Sequence, residues 1–285
     1  MPELRTLMSG LVVGESPRWH EGRLWFSNWG AQEIIAVSAE GSSEVMTRVA
    51  TSIPFSIDWL PDGRLLVVSG PEALLLRQES DGSLVTHADL SALAGGWNEI
   101  VVDGRGNAYV NGSDFDFRGG GEFRPGIIAL VAADGSARQV ADGIAFPNGM
   151  VVTPDNATLI VAESFASRLT AFDIAADGSL SNRRVWAELG QGGDGICLDA
   201  EGAIWSSVTI DGRPACARVA EGGQVLQRID LDRSCFACML GGEDGRTLFM
   251  MVAQWQGMDK MDEMFRSRTG QVLTAPAPVP GAGWP

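Results

Sequence analysis

Glu15, Asn98, Asn148 and Asp194 are four oxygen-bearing side chains from four separate stretches of the chain, each seven or eight residues before a polar turn. Their contexts are Gly-Glu-Ser-Pro (14–17), Trp-Asn-Glu (97–99), Phe-Pro-Asn-Gly (146–149) and Gly-Asp-Gly (193–195). Two carboxylates and two carboxamides make a hard donor set with a net charge of −2. Such a set suits Ca2+, or Mg2+ and Mn2+; Zn2+ and Fe2+ are less expected because no His or Cys joins it. Taken singly, an Asn or Asp before a short strand caps a turn. Four at one repeated offset point to a shared place, and acids converging there repel one another unless a cation holds them.

The elements that bring them together are read from the turns. Turn centres near residues 22, 63, 106, 156, 202 and 245 lie 41, 43, 50, 46 and 43 residues apart. Each is flanked by short apolar strands and holds a Gly or Asn able to take positive φ. Further turn signals, such as Glu40-Gly41, Asp81-Gly82, Asp134-Gly135 and Asp177-Gly178, divide each unit into about four strands. This pattern predicts an all-β chain: a six-bladed β-propeller of four-stranded antiparallel blades around a central channel, forming one domain over residues 1–285. The strand around Leu4–Met8 is expected to complete the last blade beside Gln271–Thr274. A parallel α/β fold would need long amphipathic helical periods between strands, and these are missing. In a propeller the repeated position falls where each inner strand starts at one mouth of the channel. It is occupied by Glu15, Ser56, Asn98, Asn148, Asp194 and Ala237.

Composition narrows the function classes. A formal charge of −15 argues against nucleic acid and anionic membrane as partners. No apolar run approaches the ~18–20 residues of a membrane span. Met1-Pro2-Glu3 opens without a basic region or an apolar run, so no secretory leader is expected. Four cysteines in 285 residues set a reducing cytoplasm as the expected location. Cys235 and Cys238 are expected on opposite faces of a strand, as core cysteines. His20 and His87 stand beside no serine nucleophile signature, which argues against a Ser-His-Asp triad. The expected partner is a small molecule, bound by a monomer or weak homo-oligomer.

Gly14-Glu15-Ser16-Pro17 with Trp19, Phe146-Pro147-Asn148-Gly149, and Gly193-Asp194-Gly195 with Leu198-Asp199 resemble the senescence marker protein / gluconolactonase family. That family is also called regucalcin-like or luciferin-regenerating-enzyme-like, and the resemblance spans nearly the whole chain. It implies one divalent cation, Ca2+ foremost, with Mg2+, Mn2+, Zn2+ or Fe2+ as alternatives. The ligands carry over to Glu15, Asn148 and Asp194, and the third-blade Asn near metal and substrate carries over to Asn98. Sugar-acting members often have an arginine two residues before that Asn; here the position is Gly96. Trp29, Trp97, Phe115, Phe117 and Phe146 are expected to line an apolar mouth, with Asp114, Asp116, Arg118 and Arg124 available for hydroxyl contacts. The expected reaction is metal-dependent opening of a lactone or related ester by metal-activated water, on a less polar ring than gluconolactone. Asp194 would act as metal ligand and general base, and Asn98 would orient water or substrate. Two alternatives stand beside it: phosphotriester or fluorophosphate hydrolysis with Asp194 as nucleophile, and a non-catalytic calcium-binding propeller.

Overall fold

All six repeated turns carry a left-handed residue at the expected position: Gly22, Gly63, Gly106, Asn156, Gly202 and Gly245 have φ between +57° and +86°. Gly and Asn adopt that conformation at low cost, and it reverses the chain tightly enough to pair the flanking strands. In the computed structural model, which describes residues 3–51, 53–115 and 121–283, the strands pair into six four-stranded antiparallel sheets. The sheets are the blades of a six-bladed β-propeller.

The inner strands are Val13–His20, Phe55–Trp59, Gly96–Val102, Pro147–Val152, Gly192–Leu198 and Ser234–Gly241, in blades 1 to 6. They pack against one another in ring order. Blade 6 joins Ser234–Gly241, Thr247–Ala253 and Gly270–Pro276 to the N-terminal strand Arg5–Leu11. Arg5 pairs with Thr274, Met8 with Val272 and Ser9 with Gln271, so the expected closure is present.

The core lies between blades rather than at one centre. Trp25 and Ile34 of blade 1 meet Phe55, Ile57 and Val67 of blade 2. Val101 and Tyr109 of blade 3 meet Met150 and Val161 of blade 4. Strands near the axis are covered on both faces and read as continuous apolar runs, such as the fully buried Phe55–Trp59 and Leu65–Ser69. Outermost strands such as Ser43–Arg48 face water and read as polar.

Two features position the site. Five of the six inner strands break register where the repeated position falls, between Glu15 and Arg18, Trp97 and Ile100, Pro147 and Met150, Gly192 and Ile196, and Cys235 and Ala237. Blade 2, with Ser56, keeps regular pairing. A bulge re-aims a side chain that ordinary pleating would send toward a neighbouring blade. Glycines after two of these residues let the next inner strand come close. A Cβ on Gly149 would lie 2.7 Å from Asp194 O, and one on Gly195 would lie 2.4 Å from Ala237 Cβ.

Candidate functional site

Glu15, Asn98, Asn148 and Asp194 all line one cavity of about 690 Å³ at a mouth of the channel. Ser56 and Ala237, the other two repeated positions, are fully buried and outside its lining. Left-handed residues flank three of these positions: Ser16 (φ +50°) follows Glu15, Phe146 (φ +60°) precedes Pro147-Asn148, and Gly192 and Gly193 precede Asp194. Non-glycine residues rarely adopt this conformation unless their surroundings fix it. At Ser16 the fixing contact is visible, since its Oγ accepts the Ile57 N–H from blade 2 at 3.0 Å.

Neighbouring side chains orient the donors. Ser164 Oγ donates to Gly193 O (2.6 Å) and accepts from Asn148 Nδ2 (3.4 Å), which leaves the Asn148 carboxamide oxygen free of that contact. Asn111 Nδ2 donates to Asn148 O at 2.6 Å, and its Oδ1 accepts the Glu99 N–H at 3.2 Å. The Asp194 N–H donates to Ser207 Oγ at 3.2 Å.

The electrostatics favour a cation. Burial raises the Glu15 carboxyl well above its ordinary range, and the nearby acids Asp194 and Glu99 raise it further. Asp194 is likewise raised, first by burial and then by Glu99. Its Oδ1 is a buried acceptor with no hydrogen-bond partner, an expensive arrangement unless something occupies it. Among the described residues no three His, Cys, Asp or Glu side chains gather to hold a metal ion. A cation here would therefore need carboxamide oxygens besides Glu15 and Asp194, a donor set that fits a hard divalent ion.

Beneath the floor the channel holds charges that the sequence did not reveal as a group. Arg18 lies 3.7 Å from Glu99 and 3.8 Å from Asp58, all three buried, and its Nη2 donates to Ile100 O at 2.6 Å. Burial pushes Glu99 up to about 7 and Asp58 up to about 6, with Arg18 opposing both shifts. Arg18 and Asp58 also line a smaller cavity of about 150 Å³, together with His20 and Trp59.

The family-model comparison bears on this whole arrangement: a model of the SMP-30/Gluconolactonase/LRE-like region matches residues 13–254, which include all four floor residues. The chain belongs to this family. Regucalcin of Xenopus laevis is 27% identical over 270 residues, covering 91% of this chain and 88% of its own. A pentonolactonase of Haloferax volcanii is 25% identical over 266 residues, covering 90% and 87%. The solved luciferin-regenerating enzyme shares the fold, with a TM-score of 0.83 at 19% identity over 99% of this chain and 97% of its own.

Around this family's channel mouth, the aromatic residues divide. Trp29 is half-buried at the cavity and anchored by Nε1 donating to Phe55 O at 2.6 Å. Phe115 and Phe146 also line the cavity. Trp97 also belongs to the lining, with an indole that is 1% exposed, donates to Ala94 O at 3.1 Å and packs over Gly112 in the core between blades 2 and 3. Its position borders the cavity, yet its ring is not an open binding face. Asp114 accepts the Gly95 N–H at 2.7 Å, and Arg124 is exposed outside the lining. Asp116, Phe117 and Arg118 lie outside the described residues. At Gly96 an added Cβ would touch Ser113 O at 3.3 Å and nothing nearer, so the missing side chain widens the mouth.

Sequence reasoning missed Phe165, Phe236, Trp255 and the short helix Met261–Arg266, all of which contribute to the lining. Phe165, Trp255 and the helix come from connections between strands, where no period announces a role, and Phe236 sits on the blade 6 inner strand one residue before Ala237, where the register break re-aims it. Cys235 and Cys238 are buried core cysteines as expected, but not on opposite faces. The bulge between Cys235 and Ala237 sets Cys235 and Cys238 on the same side, where both meet the Cys216 thiol. Cys238 Sγ also lies 3.8 Å from Cys197 Sγ.

Among the described residues no helix is long and apolar enough to cross a membrane.

Proposed function

We propose that this protein is a divalent-metal-dependent hydrolase that opens a lactone ring, on a less polar substrate than gluconolactone. The observation that carries the reading is the unpartnered, buried Asp194 Oδ1 beside Glu15 on the cavity floor of this family's propeller. The pentonolactonase among its relatives supports the lactone as substrate class.

Glu15, Asn148 and Asp194 would hold the cation, with Ca2+ first by donor chemistry. Bound there, a divalent cation supplies Lewis-acid polarisation of an ester carbonyl and lowers the pKa of water. Asp194 takes the proton from the attacking water as the new C–O bond forms. The ring C–O bond then breaks, and the ring oxygen leaves as the product alcohol after receiving a proton. Asn98 is half-buried on the cavity wall, and its carboxamide has no hydrogen-bond partner among the described residues. It is free to hold the water or the lactone oxygen.

The test is a lactone panel on chelated protein reconstituted with Ca2+, Mg2+, Mn2+, Zn2+ or Fe2+, followed by proton release. At least one cation should restore turnover, and Asp194→Ala should lower kcat by about 10²–10⁴-fold. Calcium binding without turnover on any ester would favour a binding propeller. Full activity in Asp194→Ala would remove Asp194 from the mechanism.

A further inference from the structure

The cavity is far larger than its polar floor requires. A volume of about 690 Å³ falls within the ~300–1,000 Å³ typical of sites for drug-sized ligands. Its walls are aromatic on two sides. On blades 3 and 4, Phe146 and Phe165 stack at 4.5 Å, and Phe115 sets its edge against them at 6.3 and 5.9 Å. Phe165 is 53% exposed, an unusual setting for a large apolar ring unless something covers it. Across the ring, blade 6 and the segment after it bring Phe236 against Trp255 at 6.1 Å, with Met264 of the short helix behind. Phe115 follows a strand of blade 3, which lies opposite blade 6 in the ring, and Phe146 and Phe165 flank strands of the adjacent blade 4, so the two aromatic clusters stand on different sides of the floor.

Charge sharpens the selection. Among the described lining residues none is Lys, Arg or His, and the carboxylates are Glu15 and Asp194 on the floor. An anionic substituent on the substrate would find no counter-charge on these walls. A polyhydroxylated ring would fare little better. Ser164 and Ser207 are engaged with Gly193 and Asp194, and although Ser113, Thr209 and Ser234 also reach the lining, hydroxyls pressed on the phenylalanine rings would lose water without gaining partners there.

We propose that the substrate is a neutral lactone carrying an aryl or medium-length alkyl substituent. The ester group would sit at Glu15, Asn98, Asn148 and Asp194, and the substituent between the Phe146–Phe165 pair and the Phe236–Trp255 wall. This inference rests on the lactone-hydrolase reading for the chemistry at the floor and goes beyond it for the walls. Each methylene buried between the walls contributes about fourfold to kcat/KM. Aromatic contact adds a further few-fold for an aryl ring.

Two measurements test it. With metal-reconstituted protein, kcat/KM should rise from δ-gluconolactone to δ-valerolactone, and again by at least about tenfold to δ-decalactone and dihydrocoumarin. Phe165→Ala and Trp255→Ala, both at exposed positions, should cut kcat/KM for dihydrocoumarin at least fivefold more than for δ-valerolactone. A preference for gluconolactone, or equal losses on both lactones, would overturn the proposal. The second measurement needs no turnover: calorimetric binding of 3,4-dihydro-2-quinolinone, a neutral aryl lactam, compared with δ-valerolactam. The aryl lactam should bind at least tenfold tighter, and Phe165→Ala should erase most of that margin. If this margin appears while no lactone is hydrolysed, the apolar subsite stands and the hydrolase reading falls. If lactones are hydrolysed without the margin, the hydrolase reading stands and this proposal falls.

Discussion

Arg18 sets the charge balance of the channel, and its two acidic neighbours make that balance depend on pH. With Asp58 and Glu99 both ionised, one guanidinium faces two buried carboxylates. Asp58 is raised to about 6 by burial, against the pull of Arg18 and of the Val102 and Trp59 N–H groups. An acid whose folded pKa lies above its unfolded value stabilises the fold while both states stay protonated. That contribution is intact below the ordinary aspartate value of about 3.9 and is lost as pH rises through about 6. Over that window Asp58 should remove about 3 kcal/mol of folding stability. Asp58→Asn abolishes this titration, although it also sacrifices an acceptor and shifts stability by a constant amount. The slope of unfolding free energy between pH 4 and 6, from urea titrations, should therefore flatten in Asp58→Asn. An unchanged slope would mean that Asp58 does not carry the titration. At pH 8 Arg18→Met should be more damaging than either acid substitution, by about 3–5 kcal/mol, because it strands two buried negative charges. Urea midpoints of the three variants at that pH provide the comparison.

Among the elements, the inner strands determine whether the four floor residues meet at all. Gly195 follows Asp194 and sits where a Cβ would come within 2.4 Å of Ala237 Cβ and 2.7 Å of Ala237 Cα. The inner strands of blades 5 and 6 would have to separate, which moves Asp194 relative to Glu15. Gly195→Ala should cost about 1–3 kcal/mol through overpacking and lower calcium affinity at least tenfold. Gly63→Ala is the matched control. Its φ of +83° makes alanine unfavourable by a similar order, ~1 kcal/mol, yet an added Cβ there has open space. Calcium affinity in Gly63→Ala should remain within twofold of the parent by calorimetry; an equal loss in both variants would refute the close-packing argument. The same distinction explains what the sequence made legible. Six turns could be counted because Gly and Asn are needed locally at positive φ, and the fixed offset from turn to inner strand located all four floor residues. The bulges left no comparable trace, so the pleat rule sent Cys235 and Cys238 to opposite faces when a register shift brings them together. Trp97, next to Asn98, reaches the lining as expected, while the depth to which the core between blades 2 and 3 buries its indole could not be read from the sequence. Arg18, Asp58 and Glu99 are separated by 40 and 41 positions along the chain, and their contact exists only because three blades converge on one axis.

For the whole molecule, the decisive contact is the one that closes the ring. Blade 6 takes its outermost strand, Arg5–Leu11, from the start of the chain and its other three from the far end. Leu11 is 2% exposed within the core that joins blades 5, 6 and 1, and Leu7 and Met8 pack against the same core. The inner strand of blade 1 begins at Val13, two residues after this anchor, and carries Glu15. If Glu15 holds a cation as proposed, closure and cation binding would be coupled, because the clasp that holds blade 6 also fixes where the strand bearing Glu15 starts. Deleting residues 3–11 exposes the Gly270–Pro276 edge and removes the Leu11 anchor. Burial of a leucine is worth about 1.5–3 kcal/mol, and the partly buried Leu7 and Met8 with the lost ladder bring the expected total to about 5 kcal/mol. The truncated protein should melt well below the parent and associate through its open edge, as read by size-exclusion chromatography. It should also bind calcium at least tenfold more weakly, although every floor residue remains in the chain. A synthetic peptide of residues 3–12 added in excess should raise both the melting midpoint and the calcium affinity by refilling the outer position. If truncation lowered the midpoint while leaving calcium affinity intact, Glu15 would be held by blade 1 alone and the coupling between closure and site would be wrong.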